Sequence, residues 1–470
     1  MPLQDPGEFR FGDRMTDVEA MMWRLEGLDP MFRTAMTMVV ALEGAPDRAE
    51  VVDRLDLVSR RIPRLRDRVA SGPLEMVPPQ WERDPGFDVR HQLRRVVASG
   101  SGSPEDLLLA AEAAAAVPFD PQHPPWQVTF VEGLRNRCEG LVLKLHHSYT
   151  DGLGGVKLAL ELFDLEPRPS QPPPRGLVPD QPPRPALIGR LAEDLVFEAQ
   201  HTADVLGRVL PWAVTTLRDA LHDPDEVTRT TLDLARAVRS QADQAARPGS
   251  PIMTKRSSDT RLAAIDLPLS GLQRAARHAG GTINDAFLAG LLGGLGLYHD
   301  KHGVAASTLR VGMPVSTRSD DTSANMHNQV EAVLLRGPLK VSDPVERIRL
   351  LHEMVGHARS QPFLGFLDEV TGLAVRLPGI RYVLARLARS IDVVASNVPG
   401  PPLDLYLAGS RLERIVPVGP RGGSGLNVTL LSYCGTVHVG VNMDPAATPD
   451  TGVLLDCLAS GFEEVLESAP

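Results

Sequence analysis

Hydrophobic and polar positions recur along this chain with two periods, which together predict both helices and strands. Met36 to Leu42 is a short apolar run with the length of a buried strand. Asp47 to about Arg61 has one polar face and predicts a helix that ends before Pro63, because the residue before a proline avoids helical geometry. Thr16 and Glu19 have the spacing of a capping box, which predicts that another helix begins there.

The same two patterns continue as far as residue 163. Pro104 to Ala116 predicts a helix. Trp126 to Glu132 and Leu141 to His147 predict two strands that pair around a polar turn. Gly152 to Phe163 then predicts a further helix. The first third of the chain is therefore expected to be a mixed α/β unit.

A proline-dense segment divides the chain. Pro167 to Pro185 predicts an extended linker, and from Ala186 to about Ala246 apolar residues recur at helical spacing. That apolar stripe could touch a membrane, but its opposite face is not strongly basic, and packing on the protein's own core is the favoured interpretation. The predicted organisation is an N-terminal subdomain of residues 1–166, a connecting region of residues 167–258 and a C-terminal subdomain of residues 259–470.

Strands and helices alternate again from Leu262. Thr282 and Asp285 form a second capping pair at the start of a long apolar helix. The further strands predicted in this part of the chain are Val311–Arg318, Asp392–Ala395, Leu426–Ser432 and Val437–Val441. A rigid turn is predicted at Ser396 to Pro401, and the last two strands are predicted to form a closing hairpin. Because both halves mix strands with helices, we expect two α/β subdomains that face each other.

Composition limits the class of protein. A length of 470 residues suits about two or three domains, and a net charge of −10 argues against nucleic acid as a partner. Cys138, Cys434 and Cys457 are scattered and odd in number, so we expect a reducing compartment instead of a disulfide framework. The first residues lack the pattern of a secretory signal, and no apolar stretch is long enough to span a bilayer. These features predict a cytoplasmic protein.

The most specific chemistry lies at residues 146–152, which have the pattern HHxxxDG. Side chains on a strand alternate between its faces, so His147 should share a face with Leu143 and Leu145, and His146 should lie on the other. We expect the leucine face to be buried, which would direct His147 into an apolar interior. A neutral imidazole in that position can accept a proton from a bound alcohol or amine.

The rest of the motif allows other interpretations. Asp151 would need a cationic partner if it were buried, and Gly152 permits a tight turn. Two histidines can bind a metal ion, but no third ligand has zinc-like spacing and neighbours on a strand point apart. Two structural histidines are the other alternative. A serine nucleophile is not indicated, since Ser148 points away from His147 on a continuing strand and no Gly-x-Ser-x-Gly motif occurs.

Further short motifs accompany HHxxxDG in order along the chain; they are Pro125–Trp126, Asn284–Asp285, Met313–Arg318, Asn328–Gln329, Ser396–Pro401 and Gly425–Thr429. With this ordered set the chain resembles the bacterial wax ester synthase/diacylglycerol acyltransferase family. HHxxxDG alone is shared with peptide-synthetase condensation domains and other CoA-dependent acyltransferases, so the resemblance depends on the whole set. Two positions depart from it: Pro125 replaces the leucine of the Pro-Leu-Trp motif, and His327 replaces a glycine before Asn328.

The resemblance implies a fold and a reaction. The fold would be α/β, with two chloramphenicol-acetyltransferase-like subdomains, mixed sheets, flanking helices and an active-site tunnel between them. A long-chain acyl-CoA would donate the acyl group, diacylglycerol or a long-chain alcohol would accept it, and no metal or other cofactor is expected. His147 matches the general base and His146 its less critical neighbour. Asp151 matches a structural aspartate that pairs with an arginine, for which Arg318 is our candidate.

Three further positions are candidate site residues. Asn284 lies near a helix N-terminus and could supply an amide N–H to a tetrahedral oxyanion. Simple helix capping explains Asn284 and Asp285 equally well, and the two roles are compatible. Pro125 and Trp126 are candidates for substrate binding, although a tryptophan is more often a core residue.

Two other functions stay open at this point. One is a condensation-type acyltransferase that takes acyl groups from a carrier protein. The other is a catalytically silent protein that binds acyl-CoA or lipid, against which the intact His147 and Asp151 argue. Because diacylglycerol and fatty alcohols reside in membranes, we expect the protein to touch a membrane or lipid-body surface reversibly.

Overall fold

The structure is a computed structural model that describes residues 11–72, 77–150, 152–168, 189–200, 203, 207, 249–316, 330–359 and 380–469. Several features named from the sequence lie wholly or mainly outside these residues: Asp151, Arg318, His327, the Asn328–Gln329 motif, the linker from residue 169 onward and most of the helical stretch after it. Residues 189–200 of that stretch are helical. Among the helices that are described, none is long and apolar enough to cross a membrane.

Six strands form the first sheet, which is built mainly from the N-terminal part of the chain. In spatial order they are β11 (Tyr406–Leu407), β12 (Ser410–Val418), β1 (Ala35–Leu42), β6 (Glu139–His146), β5 (Trp126–Glu132) and β4 (Leu93–Val97). Neighbouring strands are antiparallel except β4 and β5, which are parallel. The edge strand β4 carries the exposed Arg94 and Arg95, and charged residues of this kind discourage pairing with another chain.

Six strands also form the second sheet. In spatial order they are β7 (Arg261–Pro268), β14 (Thr436–Met443), β13 (Leu426–Tyr433), β10 (Val393–Val398), β8 (Thr308–Ser316) and β9 (Val330–Pro338). β10 is parallel to both of its neighbours, and the other pairs are antiparallel. β13 is buried along almost its whole length, as expected for a central strand with both faces covered. A separate hairpin pairs β2 (Asp67–Ala70) with β3 (Gln80–Arg83).

Helices cover both sheets. They are α1 (Asp17–Leu28), α2 (Arg48–Arg61), α3 (Pro104–Ala116), α4 (Gly152–Leu160), α5 (Leu269–Ala279), α6 (Ile283–Lys301), α7 (Pro344–Arg359), α8 (Ile380–Arg389) and α9 (Thr451–Glu467). The predicted capping boxes at Thr16 and Thr282 are confirmed, since each hydroxyl accepts the N–H of the residue three positions on. Proline at the first position of α3 and Asp47 as the N-cap of α2 fix those two starts.

One strand connects the two halves of the molecule. β12 belongs to the C-terminal part of the chain but pairs with β1 of the first sheet, from Thr37–Val418 to Leu42–Leu412. At the same point β12 touches the second sheet, because a Cβ added to Gly440 of β14 would collide with the carbonyl oxygen of Pro417. The subdomain boundaries proposed from the sequence stay a prediction. β12 lies in the predicted C-terminal subdomain of the chain but is part of the first sheet.

The apolar side chains pack in layers on the two sheets. The largest core cluster joins the second sheet to α6 and α9. Gly294 of α6 allows these helices to approach closely, since an added Cβ would lie 2.6 Å from the Cα of Leu458. The first sheet packs one face against α1, α2 and α4, and the other against α3. The fold is therefore the mixed α/β architecture of two facing units that the sequence predicted.

One predicted turn begins too early. The sequence placed Ser396 and Asn397 in a turn, but β10 continues to Val398. Parallel pairing of Ser396 with Thr429 and of Val398 with Leu431 extends the strand. Long-range pairing of this kind overrides the local preference of the Pro-Gly-Pro segment that follows.

Candidate active site

A cavity of about 490 Å³ lies between the two sheets. Its walls come from α1, α2 and α4, from the ends of β1, β5, β6 and β12, and from β8, β10 and β13. Most of the lining residues are apolar, with methionines 21, 22, 36, 38 and 313 prominent among them. This volume lies within the roughly 300–1,000 Å³ of small-molecule sites, and such walls suit an apolar ligand with few polar groups.

His147 lies on the wall of this cavity. The sequence predicted that the strand continues through His147, but β6 ends at His146 and residues 147–149 form one turn of 3-10 helix. The strand ends here because the His146 ring accepts the backbone N–H of Ser148, at 3.1 Å from its Nδ1. Leu143 and Leu145 line the same cavity as His147. The expected apolar environment is therefore observed, although His147 itself lies just beyond the strand.

The main chain around His147 is held on both sides. The N–H of His147 donates to the carbonyl oxygen of Thr34, at 3.1 Å, which attaches the turn to the start of β1. The N–H of His146 donates to the carbonyl oxygen of Pro125, at 3.0 Å. The turn that carries His147 is thus anchored by residues from two other parts of the chain.

His146 is fully buried and lies outside the described lining of the cavity, unlike its neighbour His147. Its Nε2 lies 3.1 Å from Oε2 of Glu26 and 3.0 Å from Oγ1 of Thr34. Its Nδ1 lies 2.7 Å from Oγ of Ser148, and the edge of its ring meets Trp23, with 4.8 Å between ring centroids. The predicted opposite orientations of the two histidines agree with these positions.

Two charged groups near His146 have shifted pKa values. Burial would raise the pKa of Glu26, but the hydrogen bond with His146, the hydrogen bond with the Thr34 amide and the charge of Arg33 together hold it below its ordinary value. Burial lowers the pKa of Lys144 to about 8, with Glu26 opposing and Arg33 adding to that shift. Lys144 donates to the carbonyl oxygens of Ala114 and Val117 at the end of α3, which satisfies part of its hydrogen-bonding capacity.

Pro125 and Trp126 contribute to the site in different ways. Pro125 is buried and anchors His146 through its carbonyl oxygen. Trp126 lines the cavity, belongs to the core cluster under the first sheet, and donates from Nε1 to the carbonyl oxygen of Leu65, at 2.7 Å. Its ring is therefore both a core residue and part of the cavity wall.

Asn284 and Asp285 lie at the start of α6, outside the described lining of the cavity. Asp285 is buried and completes the capping box with Thr282, and its Oδ2 lies 2.8 Å from Nδ1 of His352. Asn284 reaches toward the cavity, since its Nδ2 lies 3.5 Å from the sulfur of Met313, which lines it. The capping explanation accounts for Asp285, and Asn284 lies one side chain behind the wall.

The remaining predicted site residues are only partly described. Gly152 begins α4, directly after Asp151, which lies outside the described residues together with Arg318. No cluster of three or more potential metal ligands occurs within the described part of the chain.

Several polar residues at the site were not assigned a site role from the sequence, although Asn427 and Thr429 belong to the Gly425–Thr429 motif. On the second sheet, Asn427 and Thr429 line the cavity; Thr429 donates to the amide oxygen of Asn427, at 2.8 Å, and Asn427 donates to Pro420, at 2.9 Å. On the side of the first sheet, Glu26 and Thr34 contact the ring of His146. Glu26 precedes His146 by 120 positions, and no short-range pattern could have linked them.

Comparison with known proteins gives consistent relationships. Residues 15–287 match the wax ester synthase/diacylglycerol acyltransferase catalytic domain, and residues 326–466 match the C-terminal domain of the same group. A Mycobacterium tuberculosis protein provisionally named as a diacylglycerol O-acyltransferase is 34% identical over 468 residues, covering 98% of this chain and 93% of that protein. A second such protein from the same organism is 30% identical over 475 residues, covering 97% of both chains.

Solved structures share the fold. The wax ester synthase/diacylglycerol acyltransferase from Marinobacter aquaeolei VT8 superposes with a TM-score of 0.63 at 21% identity, covering 97% of this chain and 99% of that chain. The first condensation domain of the CDA synthetase superposes with a TM-score of 0.57 at 17% identity, covering 97% of this chain and 96% of that chain. Both likenesses support the two-lobed chloramphenicol-acetyltransferase-like architecture predicted from the sequence.

Proposed function

The chain belongs to the wax ester synthase/diacylglycerol acyltransferase family and is an O-acyltransferase, and from that premise we propose its substrates and mechanism. The acyl donor is a long-chain acyl-CoA, and the acceptor is the hydroxyl group of diacylglycerol or of a long-chain alcohol. The product is triacylglycerol or a wax ester. The curated relatives are named for diacylglycerol as the acceptor, which supports that substrate class.

The observation that carries this proposal is the position of His147 on the wall of the cavity between the sheets. The cavity is mostly apolar, and each methylene group buried from water contributes about 0.8 kcal/mol. A long acyl chain therefore gains binding energy there. The imidazole supplies a group that can take up a proton within this apolar space.

In the proposed mechanism donor and acceptor bind together and the acyl group passes directly between them. His147 accepts the proton of the acceptor hydroxyl while the hydroxyl oxygen attacks the thioester carbonyl carbon. The tetrahedral intermediate then collapses, the C–S bond breaks, and the protonated His147 returns its proton to the CoA thiolate. An oxygen ester and free CoA result, and the step requires neither a metal ion nor another cofactor.

Other site residues have proposed supporting roles. Asn284 is proposed as an oxyanion donor, supported by its place in the first turn of α6 and its contact with Met313 of the cavity wall. Asp151 and Arg318 are proposed to pair and so hold the turn after the histidines. Pro125 and Trp126 are proposed to shape the wall beside His147, supported by the hydrogen bond from His146 to Pro125.

We place the reaction in the cytoplasm, at the surface of a membrane or lipid body. The unpaired state of Cys138, Cys434 and Cys457 supports a reducing compartment, and the proposed acceptors are dissolved in lipid. The contact is expected to be reversible. Co-sedimentation with liposomes that contain dipalmitoylglycerol tests this: the protein should pellet with them, and its retention in the supernatant across several lipid compositions would contradict surface contact.

The experiment that tests the function supplies palmitoyl-CoA with hexadecanol or with dipalmitoylglycerol and measures the ester product by mass spectrometry. We expect acceptor-dependent formation of wax ester, triacylglycerol or both, and the ratio ranks the acceptors. A palmitoyl thioester on a carrier protein serves as the alternative donor. Transfer from the carrier but not from CoA would contradict the proposed donor, and binding of palmitoyl-CoA without any ester would indicate a silent protein.

A further inference from the structure

Glu26 makes a partly buried contact that the reaction as described does not use. It lies near the end of α1, and its Oε2 accepts the N–H of Thr34, at 3.2 Å. The same oxygen lies 3.1 Å from Nε2 of His146, whose ring is 1% exposed. Glu26 is outside the described lining of the cavity, so this carboxylate acts on the protein and not on a ligand in the cavity.

The hydrogen bonds around His146 determine which ring nitrogen carries its proton. A backbone N–H can only donate, and that of Ser148 points at Nδ1. Nδ1 must therefore accept, and the proton of the neutral ring lies on Nε2. Nε2 faces the Glu26 carboxylate, with the Thr34 hydroxyl beside it. A carboxylate is the acceptor that holds such a proton most strongly, because the hydrogen bond is charge-assisted.

These contacts continue to His147 through two routes. His146 and Ser148, its neighbours in the chain, are fixed to each other through the His146 ring. The N–H of His147 donates to the carbonyl oxygen of Thr34, and the N–H of Thr34 donates to Glu26. Oε2 of Glu26 therefore contacts both His146, which precedes His147, and Thr34, whose carbonyl oxygen accepts the N–H of His147.

We propose that Glu26 is a positioning residue for acyl transfer: it holds His146 in the Nε2–H tautomer and so fixes the turn that presents His147 to the cavity. This inference rests on the proposed function, because it assigns Glu26 to the step in which His147 accepts a proton. It also explains why a histidine that is buried away from the cavity precedes the one on its wall.

Two substitutions separate positioning from charge. In Glu26→Gln the amide oxygen can take the place of Oε2 and accept from both Thr34 and His146, so most activity should remain. In Glu26→Ala both hydrogen bonds are lost, and kcat should fall roughly 10–100-fold, the usual effect of removing an orienting partner. KM for palmitoyl-CoA should stay unchanged, because the cavity wall is not altered.

Glu19 provides the matched control. It lies on the same helix, is 1% exposed, and accepts the N–H of Thr16 in the capping box. Glu19→Ala and Glu26→Ala should both lower the melting temperature, but Glu19→Ala should leave kcat unchanged. Equal losses of kcat in Glu19→Ala and Glu26→Ala would show that Glu26 has only a structural role and would overturn the proposal.

A second readout does not depend on activity. The ¹⁵N chemical shifts of histidine ring nitrogens distinguish the two tautomers, and comparison with a His146→Gln sample assigns the signal. We expect His146 with its proton on Nε2 in the wild-type protein and in Glu26→Gln. In Glu26→Ala we expect a mixture of tautomers, because the ring is then no longer held in place against the Ser148 N–H. A wild-type ring protonated on Nδ1 would overturn the proposal. If the wild-type protein transfers no acyl group, the proposed function fails, while this spectrum still decides whether Glu26 sets the tautomer of His146.

Discussion

Gly155 offers a direct way to shorten the cavity. It lies in the interior of α4 and lines the cavity, and a Cβ added there would meet only Met36, at 3.4 Å from Cε and 3.8 Å from Sδ. Those are ordinary contact distances, so alanine should be accommodated. Alanine also favours helix over glycine by about 0.8–1.0 kcal/mol. Gly155→Ala should therefore leave stability the same or slightly higher and leave chain-length preference almost unchanged.

Gly155→Leu should change which substrates fit. The leucine side chain extends past Met36 into the cavity and displaces about four chain methylenes, each worth about 0.8 kcal/mol of burial. The loss is about 3 kcal/mol for a full-length chain and close to zero for a chain short enough to end before the obstruction. The ratio of kcat/KM for long over short chains should consequently fall on the order of 10²-fold.

The assay compares acyl-CoA donors from octanoyl to stearoyl with one acceptor, and then alcohol acceptors of the same lengths with one donor. We expect the length preference to shift to shorter chains in one of the two series. That series shows whether the donor's acyl chain or the acceptor's alkyl chain lies beside α4. Gly356→Leu is the control, because it adds the same side chain at an exposed helical position with no atom within 4 Å. An unchanged length preference in both series, in a folded Gly155→Leu protein, would refute the position of a substrate hydrocarbon chain beside α4.

Two further predictions concern stability. Burial lowers the pKa of the Lys144 ammonium to about 8, against about 10.4 in an unfolded chain. Between these two pH values the unfolded chain holds this proton and the folded protein does not. The free energy of unfolding should therefore rise with pH across that range, by up to about 3 kcal/mol. Urea unfolding of wild type and Lys144→Met across that range checks this: the wild-type protein should gain stability relative to the variant, and parallel curves would contradict the pKa shift. Gly440→Ala should destabilise by about 3 kcal/mol or more, because its Cβ would collide with the Pro417 backbone where the two sheets meet. Gly452→Ala, with open space around it, is the comparison, and equal unfolding midpoints for the two variants would show that the close approach is absent.

Local features of the fold could be predicted from the sequence. The helix at Pro104–Ala116 has the predicted bounds because Ser103 caps it and proline occupies its first position. β13 and β14 form the predicted hairpin because strong apolar runs flank a short turn at Cys434 and Gly435. In each case the signal lies within a few residues of the element that it determines.

Contacts between distant parts of the chain could not be predicted in this way. The pairing of β12 with β1 joins residues from opposite ends of the sequence, and β10 extends past its predicted end because β13 pairs with it. At the site, the sequence predicted that His147 enters an apolar interior, and His147 does line the cavity, but the end of β6 at His146 depends on a contact between the His146 ring and the Ser148 N–H. Glu26 and Thr34 have no sequence signal of their own, since they act only after α1 has packed beside β6.

The most direct test of the central claim is the release of CoA from palmitoyl-CoA by the wild-type protein and by His147→Ala, each with its best acceptor. Removal of a general base should lower kcat by roughly 10²–10⁴-fold, while the affinity for palmitoyl-CoA stays the same. Acceptor-dependent release that disappears in His147→Ala would establish His147 as the base. A His147→Ala protein that releases CoA at the wild-type rate would show that another group accepts the proton.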